Sequence, residues 1–120
     1  GMPVTQNKYL VGRIVETNYL SSRVLLLNDL NSRIPVTFDE KSTQAILTGG
    51  GKRKPSLSYL PENYQFIKDI TVFASGKDGI FNAGTPIGKT KENGEVELFV
   101  DPNQLSFVTV NLIKPSKEVF

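Results

Sequence analysis

Apolar residues gather along this chain in short runs that recur at regular intervals, each rich in β-branched or aromatic side chains and bounded by Gly, Pro, Asn, Asp or Ser. Runs of that length and composition predict strands, because branched and aromatic side chains pack well on a pleated surface and the bounding residues favour turns. The predicted strands are Tyr9 to Val15, Arg23 to Asn28, Ile34 to Phe38, Ala45 to Leu47, Ser56 to Leu60, Ile70 to Ala74, Ile87 to Thr90, Val96 to Val100 and Phe107 to Leu112. No stretch of 11 or more residues shows the three-and-four spacing of an amphipathic helix, and only Glu62 to Asp69 offers a single helical turn. Seven prolines and ten glycines spread along the chain also act against long helices. Asn93-Gly94 reads as a type I′ hairpin turn, and Asp78-Gly79, Asp29 to Ser32 and Asp101-Pro102-Asn103 as further reversals. Many short strands with turns between them predict an all-β sandwich or barrel.

One segment occurs twice. Val24-Leu25-Leu26-Leu27-Asn28-Asp29-Leu30-Asn31 lies over Val96-Glu97-Leu98-Phe99-Val100-Asp101-Pro102-Asn103 at a constant offset of 72. Upstream of each copy stand a Gly-x-Pro-aliphatic turn, Gly1 to Val4 and Gly84 to Ile87, and a Gly followed by a base, Gly12-Arg13 and Gly88-Lys89. The chain therefore reads as two related strand-and-turn units, about 1–40 and 84–113, inside a single β domain of residues 1–120 whose last residues, 114–120, form a tail. Gly12, Gly79, Gly84, Pro86 and Gly88 are the candidate structural turns, with Gly84 and Gly88 expected to set the register of the neighbouring strands.

Composition narrows the chemistry. The net charge of +2 is the remainder of 14 bases and 12 acids, too small a bias to indicate a nucleic-acid protein by itself. Cys and His are both absent, which excludes disulfides, thiolate and imidazole metal sites, and the Ser-His-Asp and Cys-His triads. No apolar run approaches the roughly 18 residues of a membrane-spanning helix, and no signal peptide opens the chain.

Several segments resemble sites. Ala83 to Thr90 ends in the Gly-Lys-Thr of a phosphate-binding loop, but its first residue, Ala83, stands where that loop requires Gly, and the Lys91 to Gly94 that follows is a turn rather than a helix. Gly49-Gly50-Gly51-Lys52-Arg53-Lys54 reads as a glycine hinge with a basic tip, followed by Tyr59 and Tyr64. Lys52, Arg53, Lys54 and Tyr59 are thus a candidate partner-binding loop, or a hairpin kept soluble by charge. Ser75 and Lys77 lack the spacing of a Ser-Lys pair, and Glu95 and Glu97 share the wet face of one strand.

Taken in order, Gly1-Met2-Pro3-Val4, Leu10 to Glu16, Ser22 to Asp29, Ser32 to Val36, Gly49-Gly50-Gly51, Tyr59-Leu60-Pro61, Ser75-Gly76, Gly79-Ile80-Phe81 and Gly84 to Lys89 resemble the bacterial rod shape-determining MreC family, from residue 1 to about 112. The resemblance implies small antiparallel β-barrels similar to those of chymotrypsin-type proteases but without catalytic residues, and no cofactor or metal. It also implies a scaffold on the extracytoplasmic, periplasmic face of the bacterial inner membrane, anchored by one N-terminal span that this soluble fragment does not include. The partners it implies are a class B penicillin-binding protein, RodA, MreD and, indirectly, the MreB filament, with self-association in the full-length protein. The competing reading, from the basic loop and its tyrosines, is a small barrel that binds single-stranded nucleic acid.

Overall fold

The computed structural model describes residues 2–17, 22–101 and 109–110. Within them the chain forms β1 (Pro3–Gln6), β2 (Tyr9–Thr17), β3 (Ser22–Leu26), β4 (Arg33–Phe38), β5 (Thr43–Gly50), β6 (Arg53–Ser58), β7 (Thr71–Ala74), β8 (Pro86–Thr90), β9 (Val96–Leu98) and β10 (Thr109–Val110), and no helix. The all-β expectation holds, and β1 is a strand the residue pattern did not reveal. Of the ninth predicted strand, Phe107 to Leu112, only Thr109 and Val110 are described; the remainder, like the expected tail at 114–120, lies outside the described residues. The segment Glu62 to Asp69 forms turns and irregular chain instead of a helical turn.

Six strands, in the order β6-β5-β4-β7-β8-β9, make an antiparallel barrel that is nearly closed by a bridge between Ser56 and Glu95 and by the Leu57 amide donating to the Gly94 carbonyl at 2.9 Å. Alternation explains which side chains fill it. Ile34, Val36 and Phe38 of β4, Ala45 and Leu47 of β5, Leu57 of β6, Val72 and Ala74 of β7, Ile87 of β8 and Val96 of β9 are buried. Four strands, β10-β1-β2-β3, form a second sheet, and Leu10 of β2 and Leu27, the residue that follows β3, belong to the same buried cluster as the barrel. The two sheets therefore share one core.

The duplication is visible in the hydrogen-bond register. Val4 faces Gly12 as Val72 faces Gly88, and Gly12 faces Leu26 as Gly88 faces Leu98. The Leu27 amide donates to the Val11 carbonyl at 3.0 Å, and the Phe99 amide to the Ile87 carbonyl at 3.0 Å. Both meanders also carry a bulge at the same place, since Thr5 pairs with Leu10 and Phe73 with Pro86, which leaves Val11 and Ile87 as the extra residues. The offset of 72 is thus structural, and the second unit reaches back to Thr71 rather than starting at Gly84. The paired Gly-x-Pro turns are a coincidence: Pro3 lies on β1 opposite Arg13, whereas Pro86 lies on β8, the counterpart of β2.

The expected turns divide accordingly. Gly79 (φ 72°) and Gly84 (φ 85°) are in turns between β7 and β8, but Gly12, Pro86 and Gly88 are inside strands. The reason at Gly12 and Gly88 is proximity: a Cβ on either would collide with the backbone carbonyl of Leu25 or Glu97 on the neighbouring strand. The β8–β9 connection is also not type I′. Asn93 lacks a positive φ, Gly94 alone has one (85°), and the Lys91 amide donates to the Glu95 carbonyl at 2.8 Å. That is a type I turn closed by a glycine bulge, which carries the right-handed twist equally well.

Candidate binding surfaces

The basic hairpin is tighter than a hinge. Gly49 and Gly50 continue β5, the turn is Gly51-Lys52, and Arg53 and Lys54 already belong to β6. The Gly51 amide donates to the Asn28 carbonyl at 2.7 Å and the Gly49 amide to the Ser32 carbonyl at 3.0 Å, so Gly49 and Gly51 seat the 28–32 turn against the barrel. Lys54 pairs with Glu97 at 3.7 Å, and Lys91 pairs with the same carboxylate at 2.7 Å. The hydrogen bond and charge of Lys91 hold the Glu97 carboxyl below its usual range, and Glu97 in turn raises Lys91. Lys52 and Arg53 remain exposed.

Tyr59, which the sequence grouped with these bases, stands at the other end of β6, a distance of about 20 Å along six residues of strand. It is 81% exposed, and its φ of 60° turns the chain out of the barrel. Tyr64 is engaged elsewhere, its ring edge-on to Phe38 and Phe66 at 5.7 and 5.4 Å. Bases and aromatics therefore do not converge into one stacking platform. Sequence proximity could not show this, because a strand carries its two ends apart.

A groove that residue patterns gave no hint of opens between the 39–42 turn, the 61–70 segment and β7. Tyr64, Ile67, Ile70 and Phe73 line it, with Asp39, Glu40, Glu62 and Asp69 among the polar residues around them. Its shape is held by hydrogen bonds. Asp39 (φ 64°) accepts from the Thr43 hydroxyl at 2.6 Å, the Tyr64 hydroxyl at 3.0 Å, the Lys41 amide at 2.9 Å and the Thr43 amide at 3.2 Å. Partial burial opposes ionisation of Asp39, but the Thr43, Tyr64 and Lys41 hydrogen bonds outweigh it and hold the carboxyl below its ordinary 3.8. Burial, then the hydrogen bond and charge of Asp39, push the Tyr64 hydroxyl up. On the other wall, buried Thr90 donates its hydroxyl to the Ile67 carbonyl at 2.6 Å and accepts from the Ile70 amide at 3.0 Å. The Thr of the Gly-Lys-Thr string is thus a strap on the groove, and the string itself is strand β8.

The third surface is an edge. The outer side of β3 has no partner strand among the described residues, and Val15 and Val24 are exposed beside it. In the second unit the equivalent edge, that of β9, is covered by β6 at the Ser56–Glu95 bridge. Among the described residues no cluster of three acids could hold a metal ion, and no helix is long and apolar enough to cross a membrane.

The sequence model of the family described as rod shape-determining protein MreC, barrel core, matches residues 1–112. The chain belongs to the MreC family. It is 37% identical over 118 residues to the curated cell shape-determining protein MreC of Caulobacter vibrioides, covering 95% of this chain but 34% of that protein. Solved MreC structures share the fold. One MreC superposes with a TM-score of 0.81 at 26% identity, covering 92% of this chain and 69% of the other. MreC from Listeria monocytogenes gives 0.76 at 29% (91% and 59%), and MreC from Pseudomonas aeruginosa 0.68 at 29% (91% and 67%). The chain therefore spans about a third of the curated relative, and the MreC barrel core is the part it corresponds to. Membership of the MreC family supports a role in determining cell shape.

Proposed function

We propose that this chain is a non-enzymatic scaffold unit of the bacterial cell-wall elongation machinery, working at the extracytoplasmic face of the inner membrane by binding other proteins of that machinery. The observation that carries this reading is the family match, which runs over 112 of 120 residues and takes in all ten strands. A class B penicillin-binding protein is the first partner to expect, with RodA and MreD beside it, MreB reached indirectly, and self-association in the whole protein. What supports a binding role in the architecture is that strand edges and a preformed groove are the surfaces on offer, and both are ordinary means of engaging extended protein segments.

The test is titration of a purified class B penicillin-binding protein ectodomain and of labelled single-stranded RNA, each at two salt concentrations. Saturable ectodomain binding without RNA binding is expected. Micromolar RNA binding that falls with a log-log salt slope of roughly −2 to −3, and is lost on combining Lys52→Glu, Arg53→Glu and Lys54→Glu, would instead assign the chain to nucleic acid.

A further inference from the structure

We infer that the groove between the 39–42 turn and the 61–70 segment docks a cationic, partly apolar segment of a partner protein. The inference rests on the scaffold reading and names the partner chemistry that one surface would select.

The floor argues for apolar contact. Ile67 is 60% exposed, and Tyr64, Ile70 and Phe73 lie partly buried beside it; Tyr64 and Ile70 pack one side against the barrel core and line the groove with what remains exposed, so Ile67 is the main apolar surface on offer. The rim argues for positive charge. Among the described residues, neither Asp39 nor Glu40 nor Glu62 has a lysine or arginine at ion-pair distance, whereas Glu92 and Glu97 elsewhere on the surface are paired. Against these three stand Lys41 on the rim and Lys89, which sits opposite Thr71 on the adjoining strand. Asp39 already accepts four hydrogen bonds, so it acts as a fixed negative charge, and exposed Glu40 and Glu62 are the carboxylates able to contact a base. Because the Asp39 network and the Thr90 strap hold both walls in place, docking needs little ordering of the protein.

The sign of the local field opposes that of the molecule. The chain as a whole carries +2, so undirected attraction favours an acidic ligand. Preference for a cationic one has to come from a local site.

The experiment uses a fluorescein-labelled heptapeptide with a Lys or Arg on each side of a Leu and a Phe, and the same peptide with Glu in place of each base. Fluorescence anisotropy is read at two salt concentrations. The cationic peptide is expected to bind, more weakly at high salt, and the acidic one not to bind. Glu40→Lys combined with Glu62→Lys should weaken binding by about tenfold or more, while Glu16→Lys, an exposed charge reversal on β2, leaves it unchanged. Equal melting temperatures check that both variants fold. Amide shift changes on titration should centre on Ile67 and Phe73. Equal or stronger binding of the acidic peptide, an equal loss with Glu16→Lys, or shift changes centred on β3 or on Lys52 to Lys54 would overturn the inference. The double variant is then titrated with the penicillin-binding protein ectodomain. Undiminished ectodomain binding sinks the groove as the docking site and spares the scaffold reading. Specific peptide binding by the native chain with no ectodomain binding supports the groove and counts against that partner.

Discussion

Asp39 sits at a positive φ, closes the β4–β5 turn and points its carboxylate at Tyr64 across a separation of 25 residues, so it ties a local turn to a distant segment. Short polar side chains tolerate that backbone region and cap turns, and this makes Asp a good residue for the position before its tertiary contact is counted. Its folded pKa lies below the unfolded 3.8, so ionised Asp39 stabilises the fold fully above that value. The contribution disappears as pH falls through the folded pKa. Asp39→Asn is therefore expected to lower stability at neutral pH by about 1 kcal/mol, below the roughly 1.5–3 kcal/mol of a buried bond to a charged group because this one is partly solvated. The gap between native and variant melting temperatures should stay level from pH 8 to about 5 and close below about pH 4. A gap independent of pH would show that the carboxylate charge is not what the turn uses.

At the scale of elements, the same three-strand meander is used twice, with the same bulge and the same glycine on its central strand. Gly12 and Gly88 are needed because the neighbouring strand passes too close for a side chain, whereas Gly84 has open space where a Cβ would be and only its φ of 85° to protect. These are different physical costs. Gly84→Ala should cost about 1 kcal/mol, the penalty of a left-handed conformation for an L-residue. Gly88→Val and Gly12→Val should each cost about 2–3 kcal/mol, because the strand pair has to move apart to admit the side chain. Thermal melting of the three variants checks the order, and Gly88→Val melting like the native chain would show that the β8–β9 pair yields more easily than its spacing suggests.

At the scale of the molecule, barrel and four-strand sheet share a core through Leu10 and Leu27, each 1% exposed. A shared core couples the two sheets, since opening one would expose apolar surface of the other. Leu27→Ala should therefore cost about 2–5 kcal/mol and lower the melting temperature of the barrel as well as of the four-strand sheet. The measurement is far- and near-ultraviolet dichroism through the transition, with the tyrosines as tertiary probes. Coincident transitions are expected, and a barrel that melts later than the sheet would show two independent units.

The strand-rich, helix-free character of the described residues was legible because it rests on short-range physics: branched and aromatic residues in runs of a few positions, separated by residues that turn the backbone. The duplicated Val24 and Val96 segments were legible for the same reason, as was the ordered string of turn motifs that resembles MreC. What the residues could not reveal depends on groups far apart in the chain. Glycine reads alike whether it supplies a positive φ, as Gly84 does, or yields space to Glu97, as Gly88 does. Tyr59 reads as a neighbour of Lys54 until β6 extends between them. The groove is built from a turn near residue 40, a segment near 65 and a hydroxyl at 90, and only the folded chain brings them together, because each contributes a wall and none alone encloses a surface.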